Sequence, residues 1–169
     1  GNSNLISKVY FPRLVIPFAS ALGGLVDLAI AFIVLIGMMI YYHVAPGIGI
    51  VALHLFVLLA LAAALAVGIW LSALNVQYRD VRYTIPFLTQ IWLYATPIAY
   101  PASLISGKLH AVLALNPMTG VVEGFRWALL GERALDVQSL FISSAVTVVA
   151  LVSGLFYFRR MEQLFADVV

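Results

Sequence analysis

Apolar runs long enough to cross a bilayer recur along this 169-residue chain, and short polar or charged turns separate them. A helix needs about 20 mainly apolar residues to span the hydrocarbon core. Phe18 to Tyr42 is one such run and would cross with some tilt. Ile48 to Leu74 is a second, and Val137 to Phe158, rich in β-branched residues, is the last. A further, more polar run from about Thr84 to Tyr100 reads as the third span. Residues 101–136 hold no clean span. Ser103 to Leu115 and Met118 to Leu130 are each about 13 residues, the length of re-entrant or interfacial segments. The pattern predicts an all-α integral membrane protein with four transmembrane helices plus an external re-entrant helical hairpin at about 103–131. All of it belongs to a single transmembrane domain, residues 1–169.

Local signals place the ends of these elements. Pro12 and Pro17 break any long helix in the first 17 residues, and Asn2, Ser3 and Asn4 can cap a short one through Tyr10. Tyr41, Tyr42 and His43 form an interfacial edge before the Pro46-Gly47 turn. Pro86 is expected in the first turn of the third span, where proline is tolerated, and Pro97 should kink or end that helix. Asn116 and Pro117 suit the N-cap and first helical position of the hairpin's second arm. Arg159 and Arg160 close the last span, leaving 161–169 as a short amphipathic tail.

Faces follow from the 3.6-residue period. Ala60, Ala64 and Gly68 make one side of the second span small enough for close packing. Met118, Val121, Val122, Phe125 and Leu129 share an apolar face of the hairpin, and Glu123 can pair with Arg126. Gly120 and Gly124 form a lone GxxxG. On the third span Tyr83, Phe87, Gln90 and Tyr94 share one side, with Thr89, Trp92 and Thr96 as a neighbouring stripe. Two readings stay open for these side chains: aromatic packing between helices, or a surface for sugar rings.

Composition fixes the class. The chain is 64% hydrophobic and 9% charged, with a mean hydropathy of +1.08, whereas soluble domains carry about a quarter charged residues. Too few polar groups remain to cover a soluble particle. The net charge of +2 reports membrane orientation instead of a nucleic-acid partner. Lys8, Arg13, Arg79, Arg82, Arg159 and Arg160 fall on one side of four alternating spans, against Lys108, Arg126 and Arg133 on the other. By the positive-inside rule both ends are cytoplasmic. Asp27 is the one charge in the first span. A carboxylate at helix centre costs roughly 2.5–3.5 kcal/mol on insertion scales, which calls for a hydrogen-bonding partner, snorkelling or a wet cavity. The start GNSNLISK lacks Met and a leader pattern and reads as mid-loop, as in a processed chain or part of a longer one.

Catalytic chemistry is hard to assemble from these residues. With no cysteine there is no thiolate or Cys-based metal site, and His43, His54 and His110 are isolated. The chain lacks GxxxxGK[ST], HExxH and GxSxG, so no ATP-cradling loop or hydrolase signature is present. No metal site and no cofactor are expected in this chain.

Three stretches carry a resemblance. NLISKVYFPRLVIP at 4–17, LNVQYRDVRYTIPFLTQIWLYATPIAYP at 74–101 and LNPMTGVVEGFRWALLG at 115–131 resemble the permease subunits of bacterial ABC exporters for O-antigen, capsule or teichoic acid. The resemblance implies transport of lipid-linked polysaccharide across the inner membrane, by a homodimer of permeases with two nucleotide-binding ATPase subunits. ATP and Mg would sit on those partners. Lys8, Arg13, Tyr78, Arg79, Asp80 and Arg82 would then couple to the ATPase. Tyr83, Phe87, Gln90, Trp92 and Tyr94 would line the substrate path. Asn116, Pro117, Glu123 and Arg126 would belong to the external hairpin. Family members usually have six spans, and this chain starts in what resembles the loop after the second. Alternatives are a drug or small-lipid exporter of similar architecture, or a membrane scaffold that only binds a soluble partner.

Overall fold

The computed structural model describes residues 15–78, 80–100, 104–105, 107–131 and 134–165. The described residues form helices joined by short connections: α1 (Val15–Tyr41), a 3₁₀ turn (Ile48–Ala52), α2 (Leu53–Gln77), α3 (Val81–Ala95), α4 (Lys108–Ala114), α5 (Pro117–Leu130) and α6 (Val137–Phe165). Three segments are long and apolar enough to cross a membrane: Pro17–Tyr41, Gly49–Asn75 and Val137–Met161. Helices of this kind satisfy every backbone group internally, which lipid cannot do for them.

The core is the crossing of α2, α5 and α6. The α2–α6 contact is the most extensive in the molecule, and α5 lies against both. On α2 the buried positions are Phe56, Ala63, Leu65, Ala66, Ile69 and Ala73. This face differs from the expected one at Ala60, Ala64 and Gly68: Ala64 is exposed, and a Cβ on Gly68 would meet nothing within 4 Å. On α6 the buried stripe is Ser139, Ser143, Thr147 and Phe158. The Ser143 and Thr147 hydroxyls donate to the carbonyls of Ser139 (2.9 Å) and Ser143 (2.7 Å). Each hydroxyl is satisfied within its own helix and behaves as a small packing surface.

Helix α5 meets this stripe through its glycines. A Cβ on Gly120 would collide with the Ser143 hydroxyl, and one on Gly124 with the Phe56 ring. The buried face of α5 therefore runs through Gly120, Val121, Gly124 and Ala128. Of the expected apolar face only Val121 is buried, while Met118, Val122, Phe125 and Leu129 are half-buried. Close backbone approach, favoured between helices in lipid, has outweighed side-chain bulk. Phe56, Phe125 and Phe32 meet edge-to-face at 6.3 and 5.8 Å, which ties α1 to this crossing.

Near the other end of α2, Trp70 donates to Ala150 O at 3.0 Å and stacks on Tyr157 at 4.9 Å. Tyr157 in turn donates to Gln77 at 2.8 Å. Helix α6 continues unbroken past Arg159 and Arg160 to Phe165, further than the expected stop at 158. The exposed arginines there continue the helix, as good helix formers do.

Several boundaries differ from expectation. The third span, expected over 84–100, is a helix of 15 residues, about 22 Å long at 1.5 Å per residue. It starts earlier, at Val81, so Pro86 lies inside the helix and not in its first turn. It stops before Pro97, as expected, because the residue before a proline is pushed out of the helical region: Thr96 has ψ 133. The hairpin's first arm is only Lys108–Ala114, preceded by Gly107 at φ 73 and ψ −142, a conformation outside the helix. Asn116 caps α5 through Met118 N (3.0 Å), with Pro117 at the first position, as expected. Helix α1 ends on His43 at φ 55. There Val44 N bonds Met39 O and His43 N bonds Ile40 O, closing the helix with a left-handed residue.

Asp136 starts α6. Its Oδ1 accepts from Ser139 N at 3.1 Å, and its Oδ2 lies 3.3 Å from His110 Nε2 of α4. Partial burial pushes its pKa up, but hydrogen bonds from Ser139 and Gln138 and the charge of His110 outweigh this and hold it below the usual carboxylate value. Stability from this group is present above the unfolded carboxylate pKa and lost as pH falls through the lower folded value.

Two outcomes follow from this packing. Gly124→Val is expected to cost about 1–3 kcal/mol by overpacking, read as a lower Tm in detergent, while Gly68→Ala should leave Tm unchanged or raise it. Asp136→Ala should cost about 1 kcal/mol at pH 7, as loss of a helix cap does. The gap from the parent protein should narrow as pH falls below the ordinary carboxylate range, and a gap that does not narrow would show that the ionised carboxylate is not its source.

Candidate functional site

Helix α3 differs from its neighbours because none of its residues is buried. Tyr83, Phe87 and Tyr94 are 73%, 63% and 72% exposed, and Gln90 between them is exposed as well. Their spacing of four, three and four residues puts all four on one side. The structure thus brings together three exposed rings and one exposed amide on one side of α3. Aromatic faces beside a hydrogen-bonding amide suit a ring-shaped polar molecule or another aromatic helix. Trp92 stands apart from these four and turns the other way.

The Trp92 indole N–H donates to Asn116 Oδ1 at 3.1 Å. Asn116 Nδ2 donates to Thr96 Oγ1 at 3.0 Å and to Ala95 O at 3.4 Å. Its Oδ1 also takes Met118 N, so one side chain both caps α5 and holds the end of α3. Ten residues further along, Arg126 donates to Ile98 O at 2.6 Å and Tyr100 O at 3.2 Å, and pairs with Glu123 at 2.7 Å. Hydrogen bonds from a charged donor rank among the stronger ones. The hairpin residues Asn116, Glu123 and Arg126 therefore form a clamp on the segment that leaves α3. Pro117 is buried beside it. The Asn116 cap was legible from the Asn-Pro pair, and the Glu123–Arg126 pair from its i, i+3 spacing. The partners Trp92, Thr96 and the carbonyls of Ile98 and Tyr100 were not, because they lie some 20 to 28 residues away.

Between α2 and α3, above Met118, lies an apolar cleft of about 300 Å³. Ala63, Ala64 and Val67 line one side, and Thr89, Trp92 and Leu93 the other.

The start of α3 is polar and open. Tyr78 and Asp80 are exposed, and Asp80 makes no side-chain cap to the helix. Arg82 lies over the Tyr83 ring at 5.3 Å and donates to its hydroxyl at 3.3 Å. Lys8, Arg13 and Arg79 lie outside the described residues. Asp27 is exposed on α1. Among the described residues no three His, Asp or Glu side chains converge as a metal site.

Known proteins are similar to this chain in sequence. The ABC-2 type transporter family matches residues 3–130, a stretch that includes α1 to α5. A protein of Myxococcus xanthus, named O-antigen export system permease protein RfbA, is 31% identical over 163 residues, which is 94% of this chain and 63% of that protein. A protein of the same name from Klebsiella pneumoniae is 24% identical over 169 residues, 99% of this chain and 65% of that protein. The chain spans 63% to 65% of the length of these curated relatives. With its apolar helices and a match over most of its length, this integral membrane chain belongs to the ABC-2 type transporter family of permeases.

Proposed function

We propose that this chain is the greater part of a permease that exports lipid-linked polysaccharide across the bacterial inner membrane, driven by a separate ATPase. The observation that carries the reading is the exposed stripe Tyr83, Phe87, Gln90 and Tyr94, in a chain whose relatives are named O-antigen export permeases. Rings that stack on sugar faces while an amide hydrogen-bonds hydroxyls can pass a long polar polymer without holding any one unit tightly.

In this reading residues 1–169 are one transmembrane domain. Helices α1, α2 and α6 cross the bilayer. Helix α3, with the segment through Tyr100, makes a fourth crossing, and α4 and α5 form the re-entrant hairpin outside. Six cations at 8, 13, 79, 82, 159 and 160 support a cytoplasmic position for both ends. A second copy of the permease stands opposite the stripe and closes the path, with membrane lipids around both. Lys8, Arg13, Tyr78, Arg79, Asp80 and Arg82 meet the nucleotide-binding subunit, which holds ATP and Mg. Trp92 supports the path from behind through its bond to Asn116.

Export of lipid-linked polysaccharide tests this in a cell lacking its own permease, using the protein as the cell makes it together with its ATPase. Arg79→Ala with Arg82→Ala should reduce surface polymer at least tenfold at normal membrane levels. Tyr83→Ala with Tyr94→Ala should do the same while ATP hydrolysis continues. Unchanged export in both variants would sink these assignments. Failure of the parent protein with every polysaccharide ATPase tried would favour export of a drug or small lipid.

A further inference from the structure

We propose that α3 is a lever pivoted at its outer end, and that Asn116 and Arg126 are the positioning residues that hold the pivot. The inference rests on the exporter reading above, in which the start of α3 receives the motion of the ATPase.

The attachments of α3 are uneven. At its end, Trp92, Ala95 and Thr96 are all bonded to Asn116. The next carbonyls, of Ile98 and Tyr100, are bonded to Arg126. Thr96 and Pro97 are buried there, and the proline ring stiffens the exit. At the start, the side-chain bonds are local: Arg82 to Tyr83, Thr84 to Asp80 O and Thr89 to Pro86 O. No residue between Val81 and Ala95 is buried.

The clamp itself cannot shift easily. Asn116 is the cap of α5, and α5 is seated on α2 and α6 through Gly120 and Gly124, where even one methyl would collide. One end of α3 is therefore joined to the rigid crossing by side chains, while its flank is unburied. Its start is held only by the short turn after α2, where Tyr78 N donates to Leu74 O and Val81 N to Tyr78 O. Room for movement is also present. The cleft of about 300 Å³ separates Ala63, Ala64 and Val67 of α2 from Thr89 and Leu93 of α3. Small side chains on α2 keep that side open. A tilt of ~10° about the clamp would carry the Asp80 end by ~4 Å, given a helix about 22 Å long. A push at the start of α3 then moves Tyr83 and Phe87 far more than Tyr94, so the stripe widens at its inner end first.

The test uses the full protein with its ATPase. The present chain has no cysteine, so Val67→Cys with Thr89→Cys, at positions that both line the cleft, places one reactive pair across it about two turns of α3 away from the pivot. With the clamp intact, the cross-linking rate should differ at least threefold with and without ATP. The disulfide itself should lower export at least tenfold, leave ATP hydrolysis running, and be reversed by reductant. Adding Trp92→Phe and Asn116→Asp keeps a ring and a capping oxygen but removes the indole and amide donors of the Asn116 half of the clamp. Export should fall at least fivefold at unchanged ATPase activity, and the cross-linking rate should lose its ATP dependence. Arg126→Gln, which loses the guanidinium fork, repeats the test on the other half and decides it if the first pair does not reach the membrane. Normal export by the disulfide-locked protein, or an ATP-dependent rate that survives loss of the clamp, would overturn the lever. A parent that exports no polysaccharide yet still shows the ATP-dependent rate would overturn the exporter reading and keep the lever.

Discussion

Close backbone approach at the crossing of α2, α5 and α6 is the constraint on which the other features depend. Lipid offers no hydrophobic drive between helices, so association comes from van der Waals contact and interhelical hydrogen bonds. The chain meets that need with small side chains where helices touch: Ala63, Ala66 and Ala73 on α2, Gly120, Gly124 and Ala128 on α5, and Ser139, Ser143 and Thr147 on α6. The hydroxyls bond carbonyls of their own helix, and no buried side-chain nitrogen or oxygen among the described residues lacks a partner. Bulk enters where it fills a gap, as Phe56 does over Gly124 and Trp70 over Gly154.

With α5 seated this firmly, its polar end becomes a fixed point for the rest. Asn116 and Arg126 reach from α5 to the end of α3, and Asp136 ties α4 to the start of α6 through His110. These bonds all belong to the hairpin and its junctions. The C-terminal end of α2 is held differently, by Trp70, Tyr157 and Gln77. Helix α3 lies outside both systems for most of its length. It can therefore carry exposed rings that a packed helix would have buried.

Much of the architecture was legible from residue order. Three spans, the exit before Pro97, the Asn116 cap and the Glu123–Arg126 pair all rest on signals within a few residues. Packing faces were less legible. The stripe at Ala60, Ala64 and Gly68 had the right spacing but the wrong phase, because α2 is apolar all round and its sequence does not mark which side meets α6. On α5 the buried face is marked not by the bulky residues but by Gly120 and Gly124. Their GxxxG spacing, continued by Ala128, was the signal available, and it gains meaning only beside Phe56 and Ser143.

Sequence alone determined the class of this protein and the order of its helices, because hydropathy, prolines and caps act locally along the chain. It also marked Tyr83, Phe87, Gln90 and Tyr94 as one side of a helix, since period alone sets that. Only the tertiary structure decided that this side is left open, that Trp92 turns away to Asn116, and that Arg126 holds the carbonyls of Ile98 and Tyr100. Those outcomes join residues distant in the chain. They depend on how closely α5 can approach α2 and α6, a distance set by the side chains of all three helices together.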